Sequence, residues 1–497
     1  MMAAAVAAMT LGELLGPAAG AHAALGVTDL VSDSRDVGPG SAFVALAGKR
    51  SHGLDFAADA LALGAVIVLY EPPAPAGPVP EPKLEIADLS TRLGELGRRF
   101  YGSAEPEAGL IGVTGTNGKS TVAWLVAQAL TALGRPCGYL GTIGQGLPGA
   151  LKTRRLTTPD CLTLHRELAG LGTDFAAVEV SSHALAQDRI AGIDFRIAAF
   201  TNLSREHLDW HGTMDAYFRA KARLFERPGL GAAVVNAADE YGRALLARLA
   251  PEVRAIPVAL AATPVALAGK AEASILARVE SHGLEGLKLS VTGGHGDAGI
   301  ESALIGAFNA ENLLVALGVL VASGHELGVA AAALGAARPA PGRMEVFGGP
   351  PDRPFVVVDY AHTPAALEGV LAALNSIGSG EITCVFGCGG ERDRGKRAPM
   401  GEAAARYAAH VVLTDDNPRG EDPVAIVADI KAGIARHPDL RVVHERERAI
   451  AEAIAAAGPG DVVLIAGKGH ETVQLVGAKS RPFDDREVVR RLLEGVS

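Results

Sequence analysis

Cysteine is scarce, with only Cys137, Cys161, Cys384 and Cys388 in 497 residues. Four thiols so placed make neither a disulfide framework nor a zinc pattern, and the C-x-x-x-C of the last pair lacks the usual ligand spacing. A reducing cytoplasm is the expected setting. An excess of positive charge is missing as well. Lys and Arg number 46 against 56 Asp and Glu, for a net charge of -10, and no long basic run offsets the acid. That balance argues against a general nucleic-acid binder and against a protein held on an anionic membrane. No segment has the run of apolar residues that a membrane helix needs. The Ala-rich start through Ala-His-Ala superficially resembles an export signal, yet it has no basic leader and Glu13 interrupts it, so export is not expected. Aromatics make up only 4 % of the chain, whereas 48 % is apolar and 61 residues are Gly. Such a composition suits tightly packed helix-on-sheet layers and not disorder. The length exceeds what a single core serves, so two to four domains are expected.

Three sections separate by pattern. The first runs to about residue 105 and ends in an amphipathic helix, "LSTRLGELGRRFYG", with Leu89, Leu93, Leu96 and Phe100 at helical spacing; "SAEPEAG" then reads as a linker. The second opens with the strand "LIGVT" and a Gly-rich turn, and continues with "FAAVEV", "RIAAFTN" and "AAVVNA", each ending where polar residues cluster. Alternating strands and helices imply a mostly parallel sheet with functional loops at the carboxyl ends of its strands. A third section follows the Pro/Gly-rich passage at residues 338 to 347, with strands "FVVVDY", "ITCVFG", "HVVLTD", "LRVVHE" and "DVVLIAG". A second doubly wound sheet is expected there, and no short-period repeat points to a solenoid.

"VTGTNGKST", residues 113 to 121, is the strongest local signal. A strand followed by small residues and a helix start sets backbone N–H groups around phosphate oxygens, with Lys119 as a point charge and Ser120 as a hydroxyl for Mg2+. The spacing departs from the strict phosphate-loop pattern, because Val113 stands where its first Gly belongs. Glu179 lies inside an apolar strand, where a carboxylate is costly unless it is paired or bound to a metal, and a salt bridge at the strand end is the plainer alternative. "TNLSREHLDWHG" carries His207 and His211 after another apolar strand; an isolated His is as often structural as a ligand.

Taken together, "TGTNGKS", "EVSSHAL", "TNLSREHLDWHG" and "YFRAKARLF" resemble, in order and spacing, the central domain of the Mur ligases, ATP-dependent amide-forming enzymes of peptidoglycan precursor synthesis. The resemblance implies an α/β protein of three domains: a UDP-substrate-binding domain at 1–106, a central P-loop-type ATP-binding domain at 107–336, and a Rossmann-like amino-acid-binding domain at 337–497. It implies nucleotide contacts from Gly115, Thr116, Asn117, Gly118, Lys119, Ser120 and Thr121. "GAFNAENLLVA", "PGRMEV" and "VVVDYAHTP" add Phe308, Asn309, Asn312, Arg343, Asp359 and His362 around adenine, phosphate and ribose. Lys119, His207 and Lys221 would be catalytic. Ser120, Glu179, His207 and Lys221 would hold two Mg2+ ions, with Lys221 carried as the CO2 carbamate, N6-carboxylysine. Closure of the third domain would then shield an acyl phosphate from water.

The resemblance extends over nearly the whole chain and is greatest to the branch that adds the third peptide residue. "SDSRDVGPGSAFVALAGKRSHG" implies Ser32, Ser34, Lys49, Arg50 and Ser51 near the uridine and pyrophosphate, and "RRLTTPD" supplies Thr157 and Thr158, which with Ser181, Gln187 and Arg189 would hold the muramoyl-dipeptide. Two positions depart from the usual pattern: Leu156 stands where some relatives have Asn, and Glu206 where Asp is common. "GCGGERDRGKR", "TDDNPRG" and "AGKGHE" all follow apolar strands and imply an amino-acid pocket of Arg392, Asp416, Asn417, Pro418, Arg419, Gly467 and Glu471. A zwitterion needs partners of both signs, and an Arg can grip a carboxylate bidentately. "DNPR" accompanies use of meso-2,6-diaminopimelate in the family. The implied partners are therefore UDP-N-acetylmuramoyl-L-alanyl-D-glutamate, meso-2,6-diaminopimelate and ATP, handled by a cytoplasmic monomer that binds neither nucleic acid nor membrane. A lysine-adding Mur ligase or a folylpolyglutamate synthetase-like ligase would share the ATP motifs. From another class, a P-loop switch or motor ATPase could own the phosphate loop but has no use for an amino-acid pocket.

Overall fold

The computed structural model describes residues 8–48, 51–75, 77–102, 109–154, 156–261, 274–349, 352–378, 380–434 and 436–495. Lys49, Arg50 and residues 103–108 of the expected linker lie outside them. The chain divides into two compact units, one of Met1–Pro257, Leu267–Lys270 and Gly318–Gly324, the other of Val258–Ala266, Ala271–Leu317 and His325–Ser497.

The first unit begins with a four-stranded parallel sheet, Asp29–Val31, Ser41–Ala45, Ile67–Tyr70 and Lys83–Glu85 in chain order. Its two middle strands are buried throughout, as parallel strands covered on both faces must be. Ala42, Val44, Ile67 and Leu69 pack with Leu11 and Leu14 of one helix and Leu89, Leu96 and Phe100 of another, while Phe43, Ala45, Val68 and Tyr70 pack with Ala57 and Ala60 on the other face. Glu13 belongs to the first of these helices, Leu11–Leu15, where it closes a capping box with Thr10. The helix Leu89–Tyr101 carries two glycines because its neighbours come close. A Cβ on Gly94 would stand 2.5 Å from the Ala191 carbonyl carbon, and one on Gly97 2.5 Å from the His165 ring.

The same unit holds the strands Gly144–Gly146, Cys137–Gly141, Phe175–Glu179, Gly109–Thr114, Phe195–Phe200 and Ala232–Asn236, side by side in that order. All are parallel except the Cys137–Gly141/Gly144–Gly146 hairpin. In this register Glu179 lies opposite Val113, so the last residue of one strand abuts the start of the phosphate loop on the next.

In the second unit the strands Ile275–Gly283, Gly286–Gly293 and Ala298–Ser302 form an antiparallel run that the sequence pattern did not announce. A six-stranded sheet follows, ordered Glu345–Gly348, Phe355–Asp359, Val462–Ala466, Ile382–Phe386, His410–Leu413 and Leu440–Val442. It is parallel apart from its first strand. The last strand in sequence is inserted between two earlier ones, which brings the loops after Asp359, Ala466, Phe386 and Leu413 to one edge. Arg446 and Asp485 lie beneath that edge as a buried ion pair, with Nε–Oδ1 2.7 Å and Nη2–Oδ2 2.8 Å, and Nη2 also donates to the Ala466 carbonyl. The mixed α/β class and the expected parallel strands are all present.

Candidate active site

Gly115 opens the phosphate loop at φ 151°, and a Cβ there would lie 1.8 Å from Thr201 Oγ1. Only glycine lets the loop come that close. Gly118 at φ 84° turns the chain into the helix Lys119–Ala132, whose first N–H groups face the loop. Lys119 Nζ donates to the carbonyls of Gly115 and Thr116, at 3.0 and 2.8 Å, and so folds back over the loop. Asn117 N is held by Asn202 Oδ1 at 3.0 Å, which ties the loop to the end of the neighbouring strand.

Glu179 is fully buried at the end of its strand. Its carboxylate accepts from Ser120 Oγ at 2.9 Å, from Thr142 N at 2.9 Å, from Thr142 Oγ1 at 3.1 Å and from the Tyr139 hydroxyl. Four donors compensate a burial that would otherwise be prohibitive. Among the described residues no group of three or more His, Cys, Asp or Glu could by itself hold a metal ion. Ser120 and Glu179 fit Mg2+ only in the way that ion is usually held, by a few protein oxygens together with phosphate oxygens.

Lys221, on the helix Met214–Ala222, is 1 % exposed and donates to the Gly115 carbonyl at 2.6 Å. Burial, reinforced by Lys119 and opposed by Glu206, holds its amine well below the ordinary lysine pKa. Nζ also lies 4.6 Å from the centre of the Tyr217 ring. His207 caps the short helix Leu208–His211 with φ 55°. Burial lowers its pKa; Glu206 opposes the shift while Lys119 and Lys221 add to it. Its ring stands 4.8 Å from that of His183, which burial and the neighbouring His207 and His211 bring down to about 4. The sequence offered no sign of this ring cluster beyond the two histidines in one motif.

The expected dipeptide residues come together in the same unit. Thr158 Oγ1 donates to the Glu179 carbonyl at 2.7 Å and accepts from Ser181 N at 3.1 Å, Arg189 Nη1 donates to the Thr158 carbonyl at 2.8 Å, and Arg189 Nε donates to Gln187 Oε1 at 2.9 Å. Thr157 Oγ1 lies 3.0 Å from Thr142 Oγ1. Leu156 is exposed beside them. Ser32 Oγ donates to Asp160 Oδ1 at 2.8 Å, linking the N-terminal sheet to this loop. Ser34 starts a short 3-10 turn after it, and the Ser51 carbonyl accepts from Gly48 N.

In the second unit, Asn309 donates to the Ile305 carbonyl and accepts from Asn312, each at 2.8 Å. Asp359 accepts from the N–H groups of Met344 and Ala361 at 2.8 and 2.7 Å; burial raises its pKa and Arg343 pulls the other way. The Arg343 guanidinium lies 4.7 Å over the Tyr360 ring, and its Nε is buried without a hydrogen-bond partner. At the carboxyl edge of the six-stranded sheet, Asn417 Nδ2 donates to Glu471 Oε2 at 2.8 Å. Lys468, which the sequence reading passed over within "AGKGHE", lies between them and is fully buried. Asp416 is buried, which raises its pKa against the pull of Arg446 and Lys468. A Cβ on Gly467 would come within 2.7 Å of the Asp416 carboxylate. Pro418 is buried and Arg419 half-buried at φ 52°, with Nη1 anchored on the carbonyl of Gly390 at 2.8 Å. Arg392 is exposed on the adjoining loop.

Family models match three stretches: "Mur ligase family, catalytic domain" over 27–101, "Mur ligase middle domain" over 113–320, and "Mur ligase, glutamate ligase domain" over 342–469. A protein of Xylella fastidiosa (strain 9a5c) with the name UDP-N-acetylmuramoyl-L-alanyl-D-glutamate--2,6-diaminopimelate ligase is 47 % identical over 475 residues, covering 95 % of this chain and 94 % of its own. A relative of the same name in Xanthomonas campestris pv. campestris (strain 8004) is 48 % identical over 495 residues, covering 98 % of this chain and 97 % of its own. A solved structure of a ligase so named aligns with TM-score 0.67 and 35 % identity, covering 98 % of this chain and 99 % of the other.

Proposed function

The chain belongs to the Mur ligase family, and from that footing we propose how its residues carry out the reaction. It is an ATP-dependent ligase that adds meso-2,6-diaminopimelate to UDP-N-acetylmuramoyl-L-alanyl-D-glutamate in peptidoglycan precursor synthesis, giving the UDP-linked tripeptide, ADP and phosphate. The D-glutamate carboxylate takes the γ-phosphoryl group, and an amine of the incoming amino acid displaces phosphate from the resulting acyl phosphate. Little covalent chemistry falls to the protein, so positioning and charge neutralisation dominate.

In this reading Lys119 and the N–H groups from Gly115 to Thr121 cradle the triphosphate, and Asn309, Arg343 and Asp359 are assigned to ATP binding. Ser120, Glu179 and His207 supply protein ligands for Mg2+, which when bound neutralises phosphate charge. The buried amine of Lys221, held well below the ordinary lysine pKa, is the group that reacts with CO2: a bond forms from Nζ to carbon, a proton leaves, and the product is N6-carboxylysine, an anion next to Lys119 that would hold a second Mg2+. Ser32, Ser34 and Lys49 to Ser51 hold the UDP portion; Thr157, Thr158, Ser181, Gln187 and Arg189 hold the dipeptide. Arg392, Asp416, Asn417, Pro418, Arg419, Gly467 and Glu471 receive diaminopimelate. The three domains are assigned to 1–106, 107–336 and 337–497, in a monomeric cytoplasmic enzyme that needs neither nucleic acid nor membrane. Among the described residues no helix is long and apolar enough to cross a membrane.

The 2.8 Å bond from Asn417 to Glu471 carries the amino-acid assignment, because it joins two residues 54 positions apart at one edge of the sheet, with groups of both signs around them. The test is ADP release with the UDP-dipeptide and either diaminopimelate or lysine. Diaminopimelate should be strongly preferred, and Arg419→Ala should raise its KM far more than that of ATP. Turnover with lysine alone, or full ATP hydrolysis with neither co-substrate, would overturn the assignment.

A further inference from the structure

We infer that Lys468 is a positioning residue for the incoming amino acid: it fixes which atoms of Asn417 and Glu471 face the substrate. The inference rests on the assignment of that edge to diaminopimelate. Lys468 follows the strand Val462–Ala466 by two residues, and its side chain points inward, fully buried. Nζ donates to three acceptors, Asn417 Oδ1 at 3.2 Å, Glu471 Oε2 at 2.9 Å and the Val473 carbonyl at 2.8 Å. An ammonium has three N–H groups, so all of them are used.

The consequence falls on Asn417. Its Oδ1 also accepts from Leu475 N at 3.0 Å, so two donors converge on that atom. Rotating the amide by half a turn would set Nδ2 against an ammonium and a backbone N–H, and would leave Glu471 Oε2 facing an oxygen in place of the donor it now accepts. Lys468 thereby locks the amide with Oδ1 inward and Nδ2 toward Glu471. It also holds Glu471 through Oε2 alone, which leaves Oε1 as the atom for an ammonium group of the substrate. Burial would raise the Glu471 pKa, but Lys468 and Asn417 outweigh it and hold the carboxyl below its ordinary value, so it stays an anion. One buried cation therefore sets the donor and acceptor pattern of the pocket without touching the ligand.

The test compares steady-state kinetics of Lys468→Met, Asn417→Ser, Glu471→Gln and the double variant Lys468→Met/Asn417→Ser. Lys468→Met should raise the diaminopimelate KM by about tenfold or more, a factor typical of losing the group that orients a ligand-binding side chain, with the KM values of ATP and the UDP-dipeptide unchanged. In the double variant the two effects should be less than multiplicative, because Lys468 acts through Asn417. Should Lys468→Met fail to fold, Lys468→Gln, which keeps two N–H donors but loses the charge, carries the same comparison. A diaminopimelate KM unchanged by Lys468→Met while Glu471→Gln raises it, or fully multiplicative effects, would overturn the inference. If Glu471→Gln also leaves that KM unchanged, the assignment of this edge to the amino acid fails instead.

Discussion

Ser120 Oγ donates to Glu179 Oε2 at 2.9 Å, tying the first turn of the helix after the phosphate loop to the last residue of the neighbouring strand. Both groups are buried, and the bond aims a hydroxyl and a carboxylate at the place where the loop would cradle phosphate. Glu179→Gln turns one of the two carboxylate oxygens, each of which accepts two bonds, into an NH2 group facing donors. We expect kcat to fall by about a hundredfold or more, with a higher Mg2+ requirement, and stability to fall by about 1–3 kcal/mol. ADP release across a Mg2+ titration and urea unfolding measure the two effects. Loss of stability with an unaltered Mg2+ dependence would make Glu179 purely structural.

Lys221 invites a chemical test, because its amine is buried beside a second cation and held well below the ordinary lysine pKa. Wild-type protein in 13C-bicarbonate should show a carbamate carbonyl resonance that Lys221→Arg lacks. Activity should drop in CO2-depleted buffer and return when bicarbonate is added, and Lys221→Arg should lose about a hundredfold or more. Activity indifferent to CO2, with no such resonance, would leave Lys221 as an ammonium for the phosphates.

The buried histidines should each weaken the fold on mild acidification. His165 is lowered chiefly by burial, with Arg98 adding and its bond to the Ala191 carbonyl opposing; His183, His207, His211 and His362 are lowered first by burial too. Each takes up a proton in the unfolded chain near 6.5, where the folded protein still refuses it, so acid favours unfolding from about pH 6.5 down to the folded values, about 4 for His183. His410 has the opposite sign: its bond to Glu381 raises its pKa, and that contribution is present below 6.5 and lost as pH rises through the raised value. Glu167, raised by burial to about 7, and Asp359 and Asp416, also raised by burial, work against the histidines, because the folded chain takes up their protons before the unfolded one does. The histidine contribution is isolated by His165→Gln: the melting temperature of the variant relative to wild type should rise from pH 7 to pH 5. An unchanged slope in the variant would show that His165 titrates normally.

How much of this could be read in the sequence follows from what each residue type reveals about its surroundings. The strands "FVVVDY", "ITCVFG" and "DVVLIAG" were plain because both faces of a covered parallel sheet are apolar. Ile275–Gly283 was not, since its residues alternate irregularly between buried and exposed. The phosphate loop declared itself through its two glycines: Gly115, whose neighbours leave no room for a Cβ, and Gly118, at φ 84°. The burial of Lys221 did not, because a lysine on an amphipathic helix looks the same whether its end meets solvent or a carbonyl. The pair Arg446 and Asp485 went unread because a buried charge is recognisable only from its partner, and these two lie 39 residues apart; Lys468 has Glu471 three residues on, but its other side-chain partner, Asn417, lies 51 residues away.

The insertion of Val462–Ala466 between Phe355–Asp359 and Ile382–Phe386 bears on the order in which a growing chain can mature. Both flanking strands leave the ribosome long before the one that joins them, so their facing edges have no permanent partner until residue 466 has been made. The proposed amino-acid pocket has no early form, because Asn417 awaits Lys468 and Glu471, and Arg446 awaits Asp485. During that interval the nascent protein presents two unpaired apolar strand edges, the surface most prone to pairing with another chain. The longer residues 387 to 466 take to be made, the longer those edges stay open to pairing with another chain.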